Sequence, residues 1–367
     1  MIYIHIPFCK SRCIYCDFFS STLSASKESF VYALQKEIEC RADEIRAARA
    51  NTIYIGGGTP SQLSPAQLNF IFDKLSEVVP LEIDAEVTLE CNPDDVTTDF
   101  VSGLLTTPVN RISMGAQSMN DDFLRLLNRR HTSRQTIDAV ALLRSFGYNN
   151  ISLDLMYGLP GQTLSMWQRD VDEIVALNVP HLSAYSLQWE EGTLLYDMLE
   201  RGEVEEADEE TILAMYRHLI QVAKNYGYEH YEISNFAKPG KRACHNSGYW
   251  RDEPYVGLGP GAHSYDGSYR RSSNRPDLLE YINNVGAIQQ DVEILSEDER
   301  YEEQVLKGLR TIDGFDLNTV ADKYWNYALE MAAPHIESGR MQKSGCKLSL
   351  TEEGFFVSND IMSDMML

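Results

Sequence analysis

No run in this chain is long and apolar enough to span a bilayer or to act as an export signal. The first candidate, Ile2 to Phe8, is interrupted by His5 and Pro7 and meets Lys10 at once, and nothing longer follows. A cytoplasmic protein without a transmembrane segment is expected, with contact at a membrane surface left open. Positive charge is scarce too: 32 lysines and arginines against 55 acids give a formal charge of −23. Such a surface repels a phosphate backbone, so nucleic acid is not an expected partner. Paired cysteines are also missing. Seven cysteines, an odd count, in a chain without an export signal argue against a disulfide framework and leave metal binding or redox work.

Low-complexity tracts are absent, and 43% of the 367 residues are hydrophobic, enough to bury a large core in one big domain and a smaller one. Short β-rich runs recur at Ile2 to Ile6, Thr52 to Ile55, Ala85 to Glu90, Arg111 to Met114, Ile151 to Met156 and His181 to Leu187, each followed by helical periodicity. Within Ser29 to Arg49, Phe30, Leu34, Ile38 and Ile45 share a face, and Ser64 with Pro65 forms a cap and first-turn proline. The alternation predicts an α/β fold with parallel strands and crossover helices. Six such units are too few for a complete barrel, so an open, partial (β/α)6 barrel is expected, its chemistry at the carboxyl ends of the strands. Tyr231 to Phe236 reads as a further strand, and Lys238 to Tyr265, rich in glycine, proline and aromatics, as loops over an open site. The expected division is a barrel over 1–235, an extension over 236–292 and a small, mainly helical domain over 293–367.

Three cysteines stand out. Cys9, Cys13 and Cys16, spaced C-x3-C-x2-C, follow the first strand directly. Soft thiolates suit zinc or an iron–sulfur cluster, but structural zinc asks for four protein ligands and no matching second pair exists. A cubane cluster held by three thiolates leaves one iron open to another ligand. "GGGTP", Gly56 to Pro60, ends the second strand, where glycines admit a ligand close to the backbone or simply turn the chain. Glu90, Gln117 and Asp154 stand at strand ends, where such barrels place functional groups.

The cysteine loop after the first strand of a βα-repeat chain resembles the radical S-adenosylmethionine superfamily. There three cysteines hold a 4Fe-4S cluster and the fourth iron is chelated by S-adenosylmethionine. "YIHIPFC", "GGGTP", "MGAQ", "LNRRH" and "DLMYGLPGQT" further resemble, in order and spacing, the oxygen-independent coproporphyrinogen III oxidase-like family over nearly the whole chain. That resemblance implies Cys9, Cys13 and Cys16 as cluster ligands. It also implies Tyr3, Tyr15, Gly57, Gly58, Thr59, Glu90, Gln117, Arg129 and Asp154 as S-adenosylmethionine contacts.

Two subgroups share this architecture. The oxidases of porphyrin biosynthesis, which decarboxylate two propionates of coproporphyrinogen III, carry a further cysteine two residues after the third. Here that position is Phe18. Their longer N-terminal arm is not expected either, Cys9 standing almost at the start. "HNSGYW", His245 to Trp250, is instead similar to the H-N-x-x-Y-W signature of HemW-type haem chaperones. The resemblance implies haem as cargo, an acceptor haemoprotein, an electron donor, and no coproporphyrinogen oxidase activity. Histidine can ligate haem iron, and tyrosine and tryptophan can cover its apolar faces, which nominates His245, Tyr249 and Trp250, with Cys244 as a competing ligand. His263 reads as a site wall. His5 reads as either near the cluster or in a packed core, and His131 has no assignable role.

Overall fold

The computed structural model describes residues 1–284 and 289–367. Nine strands make the main sheet: β1 (Ile2–Ile6), β2 (Thr52–Gly57), β3 (Glu86–Cys91), β4 (Arg111–Gln117), β5 (Ile151–Tyr157), β6 (His181–Ser186), β7 (Glu229–Glu232), β8 (Asn235–Ala237) and β9 (Val256–Leu258). Their order is β7-β8-β6-β5-β4-β3-β2-β1-β9. Strands β1 to β6 are all parallel, and β9 adds in parallel to the outer side of β1. The hairpin β7–β8 closes the other side antiparallel to β6. The edges β7 and β9 are not paired with each other, so the sheet stays an open barrel.

Each parallel strand alternates. Ile2, Ile4, Ile6, Ile53, Ile55, Val87, Leu89, Ile112, Leu153 and Leu155 point outward into a core shared with the crossover helices. At roughly 2 kcal/mol per buried aliphatic side chain, that outer face holds the sheet together. The inner face is polar, a departure from the apolar runs usual in parallel sheets buried on both sides. In-register neighbours bring Tyr3 beside Tyr54, Tyr54 beside Thr88, Glu90 beside Ser113 and Asp154 beside Ser183. Polar groups are costly to bury without partners, so each on this face must find one, within the protein or in a ligand.

The helix read over 29–49 is two helices, Lys27–Cys40 and Ala42–Ala48. Arg41, at the break, bonds Glu37 and Glu44 as well as Ser264 Oγ and the Gly257 carbonyl of β9. Helix Pro65–Val78 begins as its residues dictate, with Ser64 and Gln67 capping each other and Pro65 in the first turn. The strand expected over Tyr231 to Phe236 is the hairpin β7–β8: Glu232 turns inward and its carboxylate accepts from the Ser234 amide at 3.0 Å and from Asn235 Nδ2.

Two smaller sheets follow. β10 (His263–Tyr265), β11 (Arg270–Asn274) and β12 (Gln290–Ile294) are antiparallel. β13 (Phe315–Asp316), β14 (Met341–Ser344) and β15 (Lys347–Leu350) are flanked by helices Glu297–Leu309, Lys323–Glu337 and Ser358–Asp364. The division at 235 falls inside β8, and β9 belongs to the main sheet, so the segment 236–292 shares strands with the barrel as well as holding the sheet β10–β12; its part at 285–288 lies outside the described residues.

Candidate functional site

The carboxyl end of β1 leads straight into the cysteine loop. The loop closes on itself through the Cys9 amide on Ser21 O (3.0 Å) and the Ser21 amide on Pro7 O (2.6 Å). It is fastened to the barrel mouth through the Ile14 amide on Leu127 O (3.3 Å), the Leu195 amide on Ile14 O (2.9 Å), and Ile14 and Tyr15 packed with Leu127, Met156 and Leu195. The apolar pair between the second and third cysteines thus anchors the loop and leaves the thiols free. The sulfurs receive donors: Thr59 Oγ1 lies 3.5 Å from Cys9 Sγ, Arg129 Nη1 lies 3.4 Å from Cys13 Sγ, and the Phe18 amide faces Cys16. Burial pushes the Cys16 thiol up to about 11, so a proton stays on that sulfur unless metal displaces it. Among the described residues no three His, Cys, Asp or Glu side chains converge tightly enough to chelate a single ion. Cys9, Cys13 and Cys16 lie within electrostatic reach of one another, and their soft donors, with a cation and a hydroxyl aimed at sulfur, fit an iron–sulfur cluster.

Behind the loop the inner face gathers the remaining expected contacts. Glu90 is fully engaged: Tyr54 OH donates to Oε1 at 2.7 Å and the Gly57 amide to Oε2 at 3.1 Å. Burial pushes its carboxyl up to about 7, and that of Asp154 to about 6 against the Ser183 and Ser113 hydroxyls, which hydrogen-bond the carboxylate and oppose the rise. The two acids interact with each other, and Tyr3 interacts with Glu90 and Arg129 with Asp154. Gly57, at φ +107°, could not be replaced without strain, since a Cβ there would lie 2.5 Å from the His5 ring. Gln117 also takes a left-handed φ of 64°, at the irregularity between Gly115 and Gln117 where β4 leaves its register with β5. Strained non-glycine backbone at a strand's mouth is typical of a functional position. Arg129 is held by the Gly115 carbonyl at 2.7 Å and by Asn92 Oδ1. His131 braces the same strand through the Ala116 carbonyl at 3.0 Å. His5 bridges Tyr3 OH (3.1 Å) to the Phe19 carbonyl (2.9 Å), tying the inner face to the cysteine loop.

The structure therefore brings Tyr3, Tyr15, Gly57, Gly58, Thr59, Glu90, Gln117, Arg129 and Asp154 to the one mouth that holds Cys9, Cys13 and Cys16. Tyr54, Asn92 and Ser183 belong to this region, and Arg111, at the amino end of β4, acts on it by charge; all four escaped the motif reading, though the strict alternation along the strands could have found Tyr54, Arg111 and Ser183. Arg111 is 2% exposed, within 3.9 Å of Glu86, and its charge reaches both Glu90 and Asp154.

The hexapeptide lies elsewhere. Instead of a loop over the mouth, residues Cys244–Trp250 form a helix at the amino ends of the strands. His245 is 1% exposed; its Nδ1 is 2.8 Å from Thr52 Oγ1, its Nε2 3.0 Å from Tyr249 OH, and its amide donates to Glu86 at 3.1 Å. Both ring nitrogens are occupied, and burial pushes its pKa down to about 3, so the ring is neutral. Thr52 begins β2 and Gly57 ends it, which separates this helix from the mouth by roughly 16 Å along the strand. Trp250 lies under the Arg310 guanidinium, 5.0 Å from its ring, and Cys244 is exposed. Asp252, just beyond the helix, is clamped by Lys307 at 2.7 Å, by Gln304 at 2.9 Å and by Arg300. His263, read as a site wall, is exposed on β10.

Residues 3–174 match the radical SAM superfamily. The haem chaperone HemW of Lactococcus lactis is 34% identical over 371 residues, spanning 100% of this chain and 97% of its own. This chain belongs to the HemW family. The Bacillus subtilis haem chaperone HemW is likewise 34% identical, over 98% of this chain and 97% of its own. The fold of this HemW-family member matches that of coproporphyrinogen III oxidase (HemN) from Escherichia coli, a radical SAM enzyme, with a TM-score of 0.85 at 22% identity over 99% of this chain and 89% of that one. Membership in the superfamily implies a 4Fe-4S cluster and S-adenosylmethionine. Among the described residues no helix is long and apolar enough to cross a membrane.

Proposed function

We propose that this protein is a cytoplasmic haem chaperone that keeps a 4Fe-4S cluster and S-adenosylmethionine at the barrel mouth, receives haem, and passes it to an acceptor haemoprotein. The observation that carries this reading is the full-length identity to HemW haem chaperones, 34% over 100% of the chain. In this reading Cys9, Cys13 and Cys16 hold the cluster, which when bound supplies one-electron chemistry and an iron open to S-adenosylmethionine. The protein's own residues do the rest. Arg129 offsets thiolate charge and stays fixed through Asn92 and Gly115. Glu90 and Asp154 offer buried carboxyls to hydroxyl or cationic groups of the ligand, Tyr3, Tyr15 and Gln117 line the pocket, and Gly57, Gly58 and Thr59 let it approach the backbone. An electron donor is required to reduce the cluster.

Haem is assigned to the helix Cys244–Trp250, with His245 as iron ligand and Tyr249 and Trp250 against the macrocycle. For this His245 must release Thr52 and Tyr249, and the exposed Cys244 is the alternative ligand. Phe18, at the place of the oxidases' additional cysteine, is 64% exposed and offers no thiol, which supports a carrier without coproporphyrinogen oxidase activity.

Haemin titration of cluster-reconstituted protein tests the reading. Wild type is expected to give a saturable Soret shift that His245→Ala weakens strongly. A thiolate-type spectrum retained in His245→Ala and lost in Cys244→Ala would move the ligand to Cys244. No binding by wild type would overturn the chaperone function, as would protoporphyrinogen IX appearing when the protein is incubated anaerobically with coproporphyrinogen III, S-adenosylmethionine and a reductant.

A further inference from the structure

The amino-end helix and the carboxyl-end mouth are joined through the barrel interior by one side chain, Tyr54. Its hydroxyl donates to Glu90 at 2.7 Å. Its ring is held on one side by the His245 imidazole, with centroids 5.2 Å apart and planes at 31°, and on the other by Tyr3 at 6.3 Å and 27°. His245 cannot drift, because Thr52, two residues before Tyr54 on the same face of β2, and Tyr249 take both ring nitrogens. The space above Gly56 is filled by this arrangement: a Cβ there would lie 2.8 Å from the Tyr54 ring and 2.9 Å from Glu90 Oε1. Glycine at 56 is thus what lets Tyr54 and Glu90 meet.

We infer that His245, in the haem-free protein, is a positioning residue of the S-adenosylmethionine pocket, fixing the Glu90 carboxylate through Tyr54. Among the described residues Glu90 has two donors, Tyr54 OH and the Gly57 amide, and the second is set by the backbone. The side chain that orients the carboxylate is therefore Tyr54, and the side chain that orients Tyr54 from below is His245. An imidazole is rigid, flat and bonded at both edges, so its removal frees the tyrosine ring to change rotamer and leaves Glu90 with the backbone donor alone. This goes beyond haem ligation and does not depend on it.

A double-mutant cycle on S-adenosylmethionine binding tests the inference in cluster-reconstituted, haem-free protein, by equilibrium dialysis and by the S-adenosylmethionine-induced change in the EPR spectrum of the reduced cluster. His245→Ala and Tyr54→Phe are each expected to weaken binding about five- to twentyfold, and the double variant by little more than either alone, since both remove the same Glu90 contact. Glu90→Gln measures the upper limit. Iron content and far-ultraviolet circular dichroism show that each variant is folded. Should His245→Ala fail to fold, Thr52→Val loosens the imidazole without emptying its site and is expected to weaken binding about two- to fourfold. Affinity within twofold of wild type in a folded His245 or Thr52 variant, or losses that multiply in the double variant, would overturn the inference.

Discussion

The two ends of the same six parallel strands are built on opposite principles. At the carboxyl end, loops and glycines leave Cys9, Cys13 and Cys16 partly exposed, and Glu90 and Asp154 carry raised pKa values. At the amino end two histidines are buried and bonded at both nitrogens: His245 by Thr52 and Tyr249, and His181 by Ser152 at 2.7 Å and Tyr231 at 2.8 Å. The mouth holds acids whose charge is costly to keep buried, whereas these two imidazoles of the floor are satisfied internally.

The contrast can be broken most completely at the mouth. Cys13→Ala is expected to lower the iron and sulfide content of anaerobically reconstituted protein to near zero, while Cys244→Ala and Cys346→Ala leave it unchanged. Iron retained by Cys13→Ala would remove that thiol from the site. Next in size, Gly57→Ala drives a methyl into the His5 ring at a positive φ and is expected to cost roughly 2–4 kcal/mol in urea denaturation. Unchanged stability would show that the mouth's backbone is softer than its geometry implies.

The floor is expected to yield less. Asp252→Asn leaves Arg300 and Lys307 facing a neutral group and is expected to cost about 1–3 kcal/mol, these groups being only partly buried. Thermal unfolding measures that loss; if the latch also restrains the helix Cys244–Trp250, haemin uptake in stopped flow speeds up at unchanged iron content. Equal uptake rates would uncouple latch and helix.

The smallest effect is a pH dependence. Burial, with Arg129 beside it, pushes His131 down to about 3 from its ordinary 6.5. A folded-state pKa below the unfolded one means the folded protein excludes the proton, so this ring's contribution is complete above pH 6.5 and falls as pH drops toward 3. Between pH 7 and pH 5 wild type should lose at most about 2 kcal/mol that His131→Asn does not lose. Urea midpoints of the two proteins at both pH values check this, and a constant gap would show that His131 titrates normally.

Much of the barrel was legible because outward isoleucines, valines and leucines alternate with inward polar residues, and because caps such as Ser64 with Gln67 are local chemistry. The mouth was legible because its residues sit in short contiguous motifs. What escaped has physical causes. Arg41 splits a helix for partners more than two hundred residues away, Gly257 and Ser264. Glu232 folds a strand-like run into a hairpin. Asn92 acts through Arg129, distant in sequence, and nothing in its own surroundings in sequence marks it.

The hexapeptide shows where the boundary lies. Its residue types by themselves announced aromatic and imidazole chemistry, just as three closely spaced thiols announced a site for a soft metal or an iron–sulfur cluster, because those properties belong to side chains and to local spacing. Which end of the barrel the hexapeptide occupies, and that His245 is closed off by Thr52, Tyr54 and Tyr249, was decided only by the tertiary structure. Strand register, not local sequence, brings positions 52, 54 and 245 together.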